Sequence, residues 1–193
     1  MASKTSEMGA GVLFRREDCA GIFRRLLATF VDGTLLVVFL VGWWLACRFT
    51  LVGVVGALPG WLWFGSSLGA AILYFVVLKR SDLGTAGYRL AGIRVVGLDG
   101  SPPGHWAMFH RFAVGGLWVF TGSLMFILDL LWIGGDDQRQ TIRDKMAGTL
   151  VVRRNAHPVA EGRQTVRLYS FVGWSLFLRE VKPIAPSVLP GAS

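Results

Sequence analysis

The stretch GIFRRLLATFVDGTLLVVFL, residues 21–40, predicts a membrane-spanning helix with a carboxylate inside it. From Leu26 to Cys47 the chain runs for 22 residues in which Asp32 is the only charged side chain. A helix needs about 20 mainly apolar residues to cross the hydrocarbon core of a bilayer, so this run is long enough. A charged aspartate near the middle of such a helix costs about 2.5 to 3.5 kcal/mol on insertion scales, and we therefore expect Asp32 to have a partner.

Two further apolar runs predict that the chain crosses the bilayer more than once. Residues 61–78 carry no charge, and residues 112–133 carry only Asp129. The chain is 53% hydrophobic with a mean hydropathy of +0.52, which argues against an ordinary soluble domain. We expect an all-α polytopic membrane protein whose main partner is the lipid bilayer. It would contain a hairpin of two spanning helices at 26–47 and 61–78, a third hydrophobic segment at 112–133, and a small cytoplasmic β element.

The basic residues are distributed as expected if both ends of the first two helices lie in the cytoplasm. Arg15, Arg16, Arg24 and Arg25 precede the first run, Arg48 lies in the link, and Lys79, Arg80, Arg89, Arg94 and Arg111 follow the second run. An excess of Lys and Arg marks cytoplasmic loops, so the N-terminus is predicted to be cytoplasmic. This topology and attraction to anionic lipid account for the net charge of +8, and no nucleic-acid partner is expected.

The third hydrophobic segment leaves two paths open. If residues 112–133 simply cross the bilayer, the arginine-rich stretch that follows lies outside, against the charge bias. If the segment enters, turns near Thr121-Gly122-Ser123 and leaves on the same side, each leg is about 15 Å long. Short β-branched runs at 93–96 and 149–152 favour this re-entrant hairpin, because they can pair only if both lie on the cytoplasmic side.

The chain divides into three parts by composition. We predict a cytoplasmic N-terminal segment at 1–20, a membrane domain at 21–154 and a C-terminal extension at 155–193. In the extension, residues 166–181 mix Trp and Phe with Arg and Glu, which suits a segment at the membrane interface. The periodicity there does not distinguish a helix from a strand. The prolines near the end of the chain predict a disordered tail.

Asp32 is the strongest candidate for a functional residue. Arg25 lies seven positions earlier, about 10 Å away along a helix axis and too far for a salt bridge within one helix. The partner of Asp32 must therefore be a residue of another helix, a water, a cation or a proton. Two interpretations remain open: a carboxylate that binds a proton or cation, and a buried helix contact held by hydrogen bonds.

The other charged residues are weaker candidates. Asp129 lies near the end of the third segment, and Asp144 lies in a predicted turn where aspartate often caps a helix. Both are retained as candidates for ion or proton binding. Arg24, Arg25 and Arg111 are candidates for structural or ion-pair roles, since arginines at the ends of membrane helices are common anchors.

Small residues on the second helix predict a packing surface. Gly65 and Gly69 are four positions apart and therefore lie on one face of a helix. Glycines at this spacing allow two helix backbones to approach closely. The partner would be either the first helix or another subunit.

Several kinds of site have no signature in the sequence. There is no phosphate-binding or dinucleotide-binding glycine pattern, and the three histidines do not have metal-ligand spacing. No serine or cysteine has an obvious histidine and carboxylate set. We therefore expect no metal, no cofactor and no enzymatic activity.

Several motifs taken together resemble the RDD family of bacterial membrane proteins, which is named for one arginine and two aspartates. The matching stretches are RRLLATFVDG (24–33) with Arg25 and Asp32, GTAGYRLAGIRVVGLDGSPP (84–103), Arg111, and IRDKMAGTLVV (142–152) with Asp144. The resemblance runs from about Gly21 to Val152. In the family the second aspartate usually follows a histidine, where this chain has Arg143, and Tyr88 replaces a residue that is often basic.

The resemblance implies a bacterial inner-membrane location and a role in transport, with cation/proton exchange in some members. One hypothesis is a proton/cation exchanger or other small-solute transporter in which Asp32 alternately binds a proton and a cation. Three hydrophobic segments are few for enclosing a path, so this version requires a homo-oligomer. The alternative is a non-catalytic accessory or assembly subunit of a larger membrane complex, with Arg25, Asp32 and Asp144 locking its own fold.

Overall fold

The structure is a computed structural model that describes residues 5–51, 60–120, 124–171 and 174–184 of the 193-residue chain. The strands are β1 (Thr5–Leu13), β2 (Ile93–Gly97), β3 (Thr149–Arg153), β4 (Ala160–Phe171) and β5 (Trp174–Pro183). The α-helices are α1 (Ile22–Ala46), α2 (Gly60–Ile72), α3 (Ala86–Ala91), α4 (His105–Phe120), α5 (Leu124–Gly135) and α6 (Ile142–Ala147). Backbone of π-helical form extends α1 over Cys47–Leu51 and α2 over Leu73–Leu78.

Two helices are long and apolar enough to cross a membrane, and they occupy the two predicted positions. They run over Ile22–Phe49 and Gly60–Leu78, and in each only 11% of the most apolar window is buried within the chain. A core helix of a soluble protein would be mostly buried, so their apolar side chains face outward instead. The two helices contact each other, and Trp43 Nε1 donates a hydrogen bond of 2.9 Å to Ser66 Oγ. The link at residues 52–59 lies outside the described residues.

The third hydrophobic segment forms two helices rather than one. Helix α4 ends at Phe120 and α5 begins at Leu124, and the predicted turn at residues 121–123 lies outside the described residues. With 12 residues, α5 is about 18 Å long and cannot cross a core of about 30 Å alone. The two ends of the segment return to one place, because the strand before it, β2, pairs with the strand after it, β3. The structure therefore does not show a single spanning helix over 112–133.

Strands β2 and β3 pair antiparallel, as their β-branched sequences predicted. The start of α1 is attached to this pair: Cys19 forms a β-bridge with Val152, and the Ala20 N–H donates to the Val151 carbonyl at 2.8 Å. Val151 and Val152 are fully buried. The strand pair thus fixes the position at which the first long helix begins.

The predicted all-α fold class is wrong. Beside the helices, the described residues form five strands in two sheets. The second sheet has the strand order β1-β4-β5, with both neighbouring pairs antiparallel. It joins the N-terminal segment to the C-terminal extension, and the described part of residues 166–181 is strand. The tail predicted to be disordered falls largely on residues 185–193, outside the described residues.

Glycines explain why the sequence does not reveal this sheet. Glycine is depleted in strands, so Gly11 in β1 and Gly162 in β4 lower the local strand signal. In the structure these positions need glycine. A β-carbon on Gly11 would lie 2.8 Å from Val181 Cγ2, and one on Gly162 would lie 2.5 Å from the Lys182 carbonyl oxygen. The paired residues of β1 and β4 are also at least 147 positions apart, so no local sequence pattern indicates that these strands pair.

Candidate functional site

Asp32 is buried and accepts three hydrogen bonds from outside its own helix. Its side chain is 1% exposed. The Tyr74 hydroxyl donates to Oδ1 at 2.9 Å and the Gly87 N–H donates to the same oxygen at 2.7 Å. The Thr85 hydroxyl donates to Oδ2 at 2.7 Å. The predicted partner of Asp32 is therefore a set of neutral donors from the end of the second long helix and from the start of α3.

Gly87 permits this contact because it has no side chain. A β-carbon at position 87 would lie 2.2 Å from the Ala28 carbonyl oxygen and 2.8 Å from Asp32 Oδ1. Real β-carbons do not approach other atoms so closely, so α3 could not seat against α1 with any other residue there. Tyr74 connects the same elements, since its hydroxyl oxygen also accepts the Ala86 N–H at 3.1 Å.

Asp32 lies nearer to the N-terminal end of the first long helix than to its C-terminal end. The first long helix has 28 residues, so it is about 42 Å long, roughly 12 Å more than a hydrocarbon core. Two of the donors to Asp32, Thr85 and Gly87, come after the second long helix has ended at Leu78. A carboxylate at this level costs less than one at the bilayer centre, because polar backbone and side chains surround it.

A second buried carboxylate, Asp144, is held between two arginines. Arg25 Nη1 lies 2.6 Å from Asp144 Oδ2, and Arg111 Nη1 lies 2.6 Å from Oδ1. Asp144 also caps α6, exchanging hydrogen bonds of 3.1 Å with Thr141 in a capping box. Arg111 donates in addition to the Thr149 hydroxyl at 2.6 Å. The three residues join α1, α4 and α6, and the turn predicted around Asp144 is a helix N-terminus.

The two arginines determine the ionisation of Asp144. Burial alone would raise the pKa of this carboxyl, but the Arg111 and Arg25 guanidiniums outweigh that effect and lower the pKa to about 2. Asp144 is thus a permanent anion near neutral pH. We conclude that it does not exchange protons in the ordinary pH range, which counts against its predicted role as a proton site.

The third candidate carboxylate, Asp129, is paired with Arg143. The side chain of Asp129 is fully buried, and its Oδ2 lies 2.6 Å from Arg143 Nε. The Arg143 backbone N–H donates to Oδ1 at 3.1 Å. The Arg143 guanidinium also lies over the rings of Trp118 and Phe126, at 5.4 and 5.3 Å from their centres. Arg143 is therefore a counter-ion within the fold.

A cavity of about 240 Å³ lies among these groups. Its charged lining residues are Arg25, Asp32, Lys79, Arg111 and Arg143. Its other lining residues are Thr29, Gly33, Phe75, Tyr88, Met108, Phe112, Gly115, Gly116, Phe126 and Leu130. This cavity is bounded by α1, the end of the second long helix, and helices α3 to α6.

The remaining predicted residues lie away from this cavity. Arg24 is exposed, and its Nη1 donates to the Ala91 carbonyl at 2.7 Å, at the end of α3. Gly65 and Gly69 are exposed, and a β-carbon built on either would meet no described atom within 4 Å. The described part of the chain thus leaves their shared face uncovered.

Sequence reasoning missed four residues of the site. They are Tyr74, Lys79, Thr85 and Gly87. A signal existed for Tyr74, which is the only tyrosine in the apolar run 61–78, and for Lys79, which ends that run. No local sequence pattern indicates that the Thr85 hydroxyl and the Gly87 backbone N–H bind Asp32, which lies more than 50 positions away.

The described residues contain no group of side chains that could hold a metal ion. Within residues 5–51, 60–120, 124–171 and 174–184, no three His, Cys, Asp or Glu side chains lie close enough together. Cys19 and Cys47, both buried, are free thiols.

Comparison with known proteins gives one match. A family model described as "RDD family" matches residues 19–148, about two thirds of the chain. The matched range includes Arg25, Asp32, Asp129 and Asp144, and it excludes the whole three-stranded sheet. Comparisons with curated proteins and with solved structures find no significant match.

We predict that Gly87→Ala separates α3 from α1. The added methyl group overlaps the Ala28 carbonyl and the Asp32 carboxylate, and overpacking of this kind costs about 1 to 3 kcal/mol or more. Thermal unfolding in detergent should occur at a clearly lower temperature. Gly104→Ala is the matched control, since a β-carbon there meets nothing within 4 Å. Equal stability of the two variants would show that α3 does not depend on the close contact.

We predict that Asp144→Asn destabilises the protein by about 3 to 5 kcal/mol, because it leaves Arg25 and Arg111 buried without their counter-ion. The measurement is denaturant unfolding in detergent. Asp137→Asn, at an exposed position, is the control and should change stability by less than about 0.5 kcal/mol. A wild-type unfolding curve for Asp144→Asn would contradict the structural importance of the arginine pair.

We predict a specific acid transition from Asp144. Its pKa is lowered on folding from 3.8 to about 2, so its contribution to stability is complete above pH 4 and is lost as the pH falls from 4 to 2. The contribution amounts to roughly 2 kcal/mol. The difference in free energy of unfolding between wild type and Asp144→Asn should therefore narrow by roughly 2 kcal/mol as the pH is lowered from 5 to 2. Parallel pH dependence in the two proteins would contradict this assignment.

Proposed function

This chain belongs to the RDD family, and from that premise we propose that it is a multi-pass protein of the bacterial inner membrane that binds and transports a small solute. We place its N-terminus in the cytoplasm, on the distribution of arginine and lysine described above. The family model matches residues 19–148 and confirms the resemblance first noted in the motifs around Arg25, Asp32 and Asp144. The family and the two apolar helices are those of a membrane-associated protein.

The observation that supports transport is the cavity of about 240 Å³ beside Asp32. Two long apolar helices and the two helices of the third segment meet around it. The charged side chains that line it come from α1, α4, α6 and Lys79, directly after the second long helix. A concave space with convergent polar groups, at the junction of helices, is the usual form of a solute site. This combination is more than a packed structural core needs.

The arrangement favours a solute in the cavity over a cation bound directly to Asp32. Asp32 already accepts hydrogen bonds from Tyr74, Thr85 and Gly87. A cation on its oxygens would compete with donors that α3 cannot withdraw without moving. We therefore assign Asp32 to the wall of the site, where it holds α3 in place.

The accessory-subunit hypothesis is the second candidate. It is favoured by the fact that Asp32, Asp129 and Asp144 each have partners within the chain, as residues with a purely structural role would. In this version the chain joins a larger membrane complex, whereas the transport version requires a homo-oligomer. We propose no enzymatic activity for either role.

We predict that filling the cavity abolishes transport without affecting folding. Gly116 lines the cavity, and a β-carbon there meets no atom within 4 Å, so Gly116→Leu adds a side chain to open space. The measurement uses proteoliposomes, with a pH-sensitive dye for exchange driven by Na⁺ or K⁺ and radiolabelled phosphate for anion uptake. Flux through the variant should fall at least tenfold at an unchanged unfolding temperature.

Gly42→Leu is the matched control for this experiment. Gly42 lies on the first long helix, is exposed, also has free space at its β-carbon, and does not line the cavity. Its flux should equal that of the wild type. If the wild type moves none of the three ions above empty liposomes, the transport proposal fails. Recovery of a stoichiometric partner from native membranes by the same wild-type protein would then establish the accessory role.

A further inference from the structure

We propose that the cavity binds a small anion carrying one negative charge on oxygen, a phosphate or a carboxylate group, between Lys79 and Arg111. This inference deepens the proposed function by naming a substrate class, and its transport aspect rests on that function. The binding aspect stands separately, because a site for an anion exists whether or not the anion crosses the membrane.

The charge balance of the cavity is the first argument. Four cations line it or its wall, Arg25, Lys79, Arg111 and Arg143, and three carboxylates lie among them, Asp32, Asp129 and Asp144. Four positive and three negative charges leave an excess of one positive charge. An uncompensated charge away from water is costly, and one bound monoanion would neutralise this one.

The arrangement of partners locates the excess. Arg143 is neutralised by Asp129, whereas Asp144 is shared between Arg25 and Arg111. The cluster of two arginines and one aspartate is therefore left with one net positive charge. This net charge is shared by Arg25 and Arg111, and both line the same cavity as Lys79.

Lys79 is a cation without a carboxylate partner. Its ammonium nitrogen lies 4.1 Å from the centre of the Tyr88 ring and 5.5 Å from that of Phe75, and no described carboxylate forms a salt bridge with it. Burial lowers the pKa of Lys79, and the nearby Arg111 lowers it further. An anion between Lys79 and Arg111 would attract both cations and so offset the repulsion between them.

A second, mainly basic cavity shares lining residues with the first. It has a volume of about 270 Å³, and its charged lining residues are Lys79, Arg80, Arg94, Arg154 and one carboxylate, Asp82. Lys79 and Tyr88 line both cavities and so stand at the boundary between them. A cleft lined by cations raises the local concentration of anions.

Other ligand classes fit the cavity less well. A metal cation would face a net positive lining whose carboxylates are already engaged. A neutral apolar molecule would remove water from Lys79 and supply no counter-charge. The cavity volume of about 240 Å³ is well above the roughly 15 Å³ that one water requires, so a phosphate or carboxylate group can enter.

The test is equilibrium binding of inorganic phosphate and of acetate to the full chain in nanodiscs of neutral phosphatidylcholine. We expect saturable binding that weakens as the salt concentration rises. Lys79→Gln should weaken it at least tenfold, whereas Lys79→Arg, which keeps the charge, should stay within a few fold. Arg89→Gln is the control, because Arg89 is an exposed cation that lines neither cavity. Equal affinity in Lys79→Gln and wild type would overturn the proposal. So would failure of the protein to bind either these anions or an anionic lipid headgroup.

A second arm identifies the source of the anionic group. The same titration is repeated in nanodiscs that contain phosphatidylglycerol, whose headgroup carries one phosphate charge. Two results together would identify a lipid headgroup as the natural ligand. Phosphatidylglycerol blocks phosphate binding to the wild type, and it binds to Lys79→Gln no more strongly than phosphatidylcholine does. If it has no effect while free phosphate binds, the ligand is a free solute. Absence of both kinds of binding overturns the site.

A third variant keeps the test decisive if Lys79→Gln does not fold. Gly116→Leu fills the same cavity and leaves Lys79 unchanged, so it should also abolish phosphate binding. Unchanged binding in that variant would place the anion elsewhere and overturn the proposal. Anion binding without flux in proteoliposomes would retain the site and reject only its use in transport.

Discussion

The position of Asp144 between Arg25 and Arg111 is the constraint on which the arrangement of the helices depends. The carboxylate caps the first turn of α6, and the arginines reach it from α1 and α4 at 2.6 Å each. A buried ion cluster of this kind contributes little net stability compared with apolar packing, but losing one member is costly because the other charges stay buried. The cluster therefore acts mainly on structural specificity, because few placements of the three helices satisfy all of its charges. The shape of the cavity between these helices is fixed by the same contacts.

Asp32 is a buried carboxylate like Asp144, but neutral hydrogen-bond donors rather than cations stabilise it. It has no cation in contact and is stabilised by two hydroxyl groups and one backbone N–H. The donors from α3 and its N-cap are a backbone N–H and the short Thr85 side chain, which reach less far than an arginine, so α3 lies so close to α1 that only Gly87 fits. Arg25 and Asp32, seven positions apart on α1, thus attach two separate elements to one helix. Both can be structural residues and still define a functional cavity.

The sequence was informative where local chemistry decides structure. Apolar runs placed the two long helices, β-branched runs placed β2 and β3, and the motif residues Arg25, Asp32 and Asp144 do converge on one region. Non-local pairing was not readable. The three-stranded sheet depends on glycines that weaken the strand signal, and the donors to Asp32 are more than 40 positions away. The pairing of Arg143 with Asp129 required knowing that the third segment folds back on itself.

The identity of residue 143 as arginine bears on what the cavity can hold. A histidine at this place would be neutral or charged according to pH, and Asp129 would then lack a constant counter-ion. Arg143 is charged at every ordinary pH and pairs with Asp129, so these two residues do not add to the balance. The remaining charges are Lys79 and Asp32, which both line the cavity, and the two arginines that share Asp144. The excess is therefore one positive charge near neutral pH, a lining suited to an anion rather than to alternating binding of a proton and a metal cation.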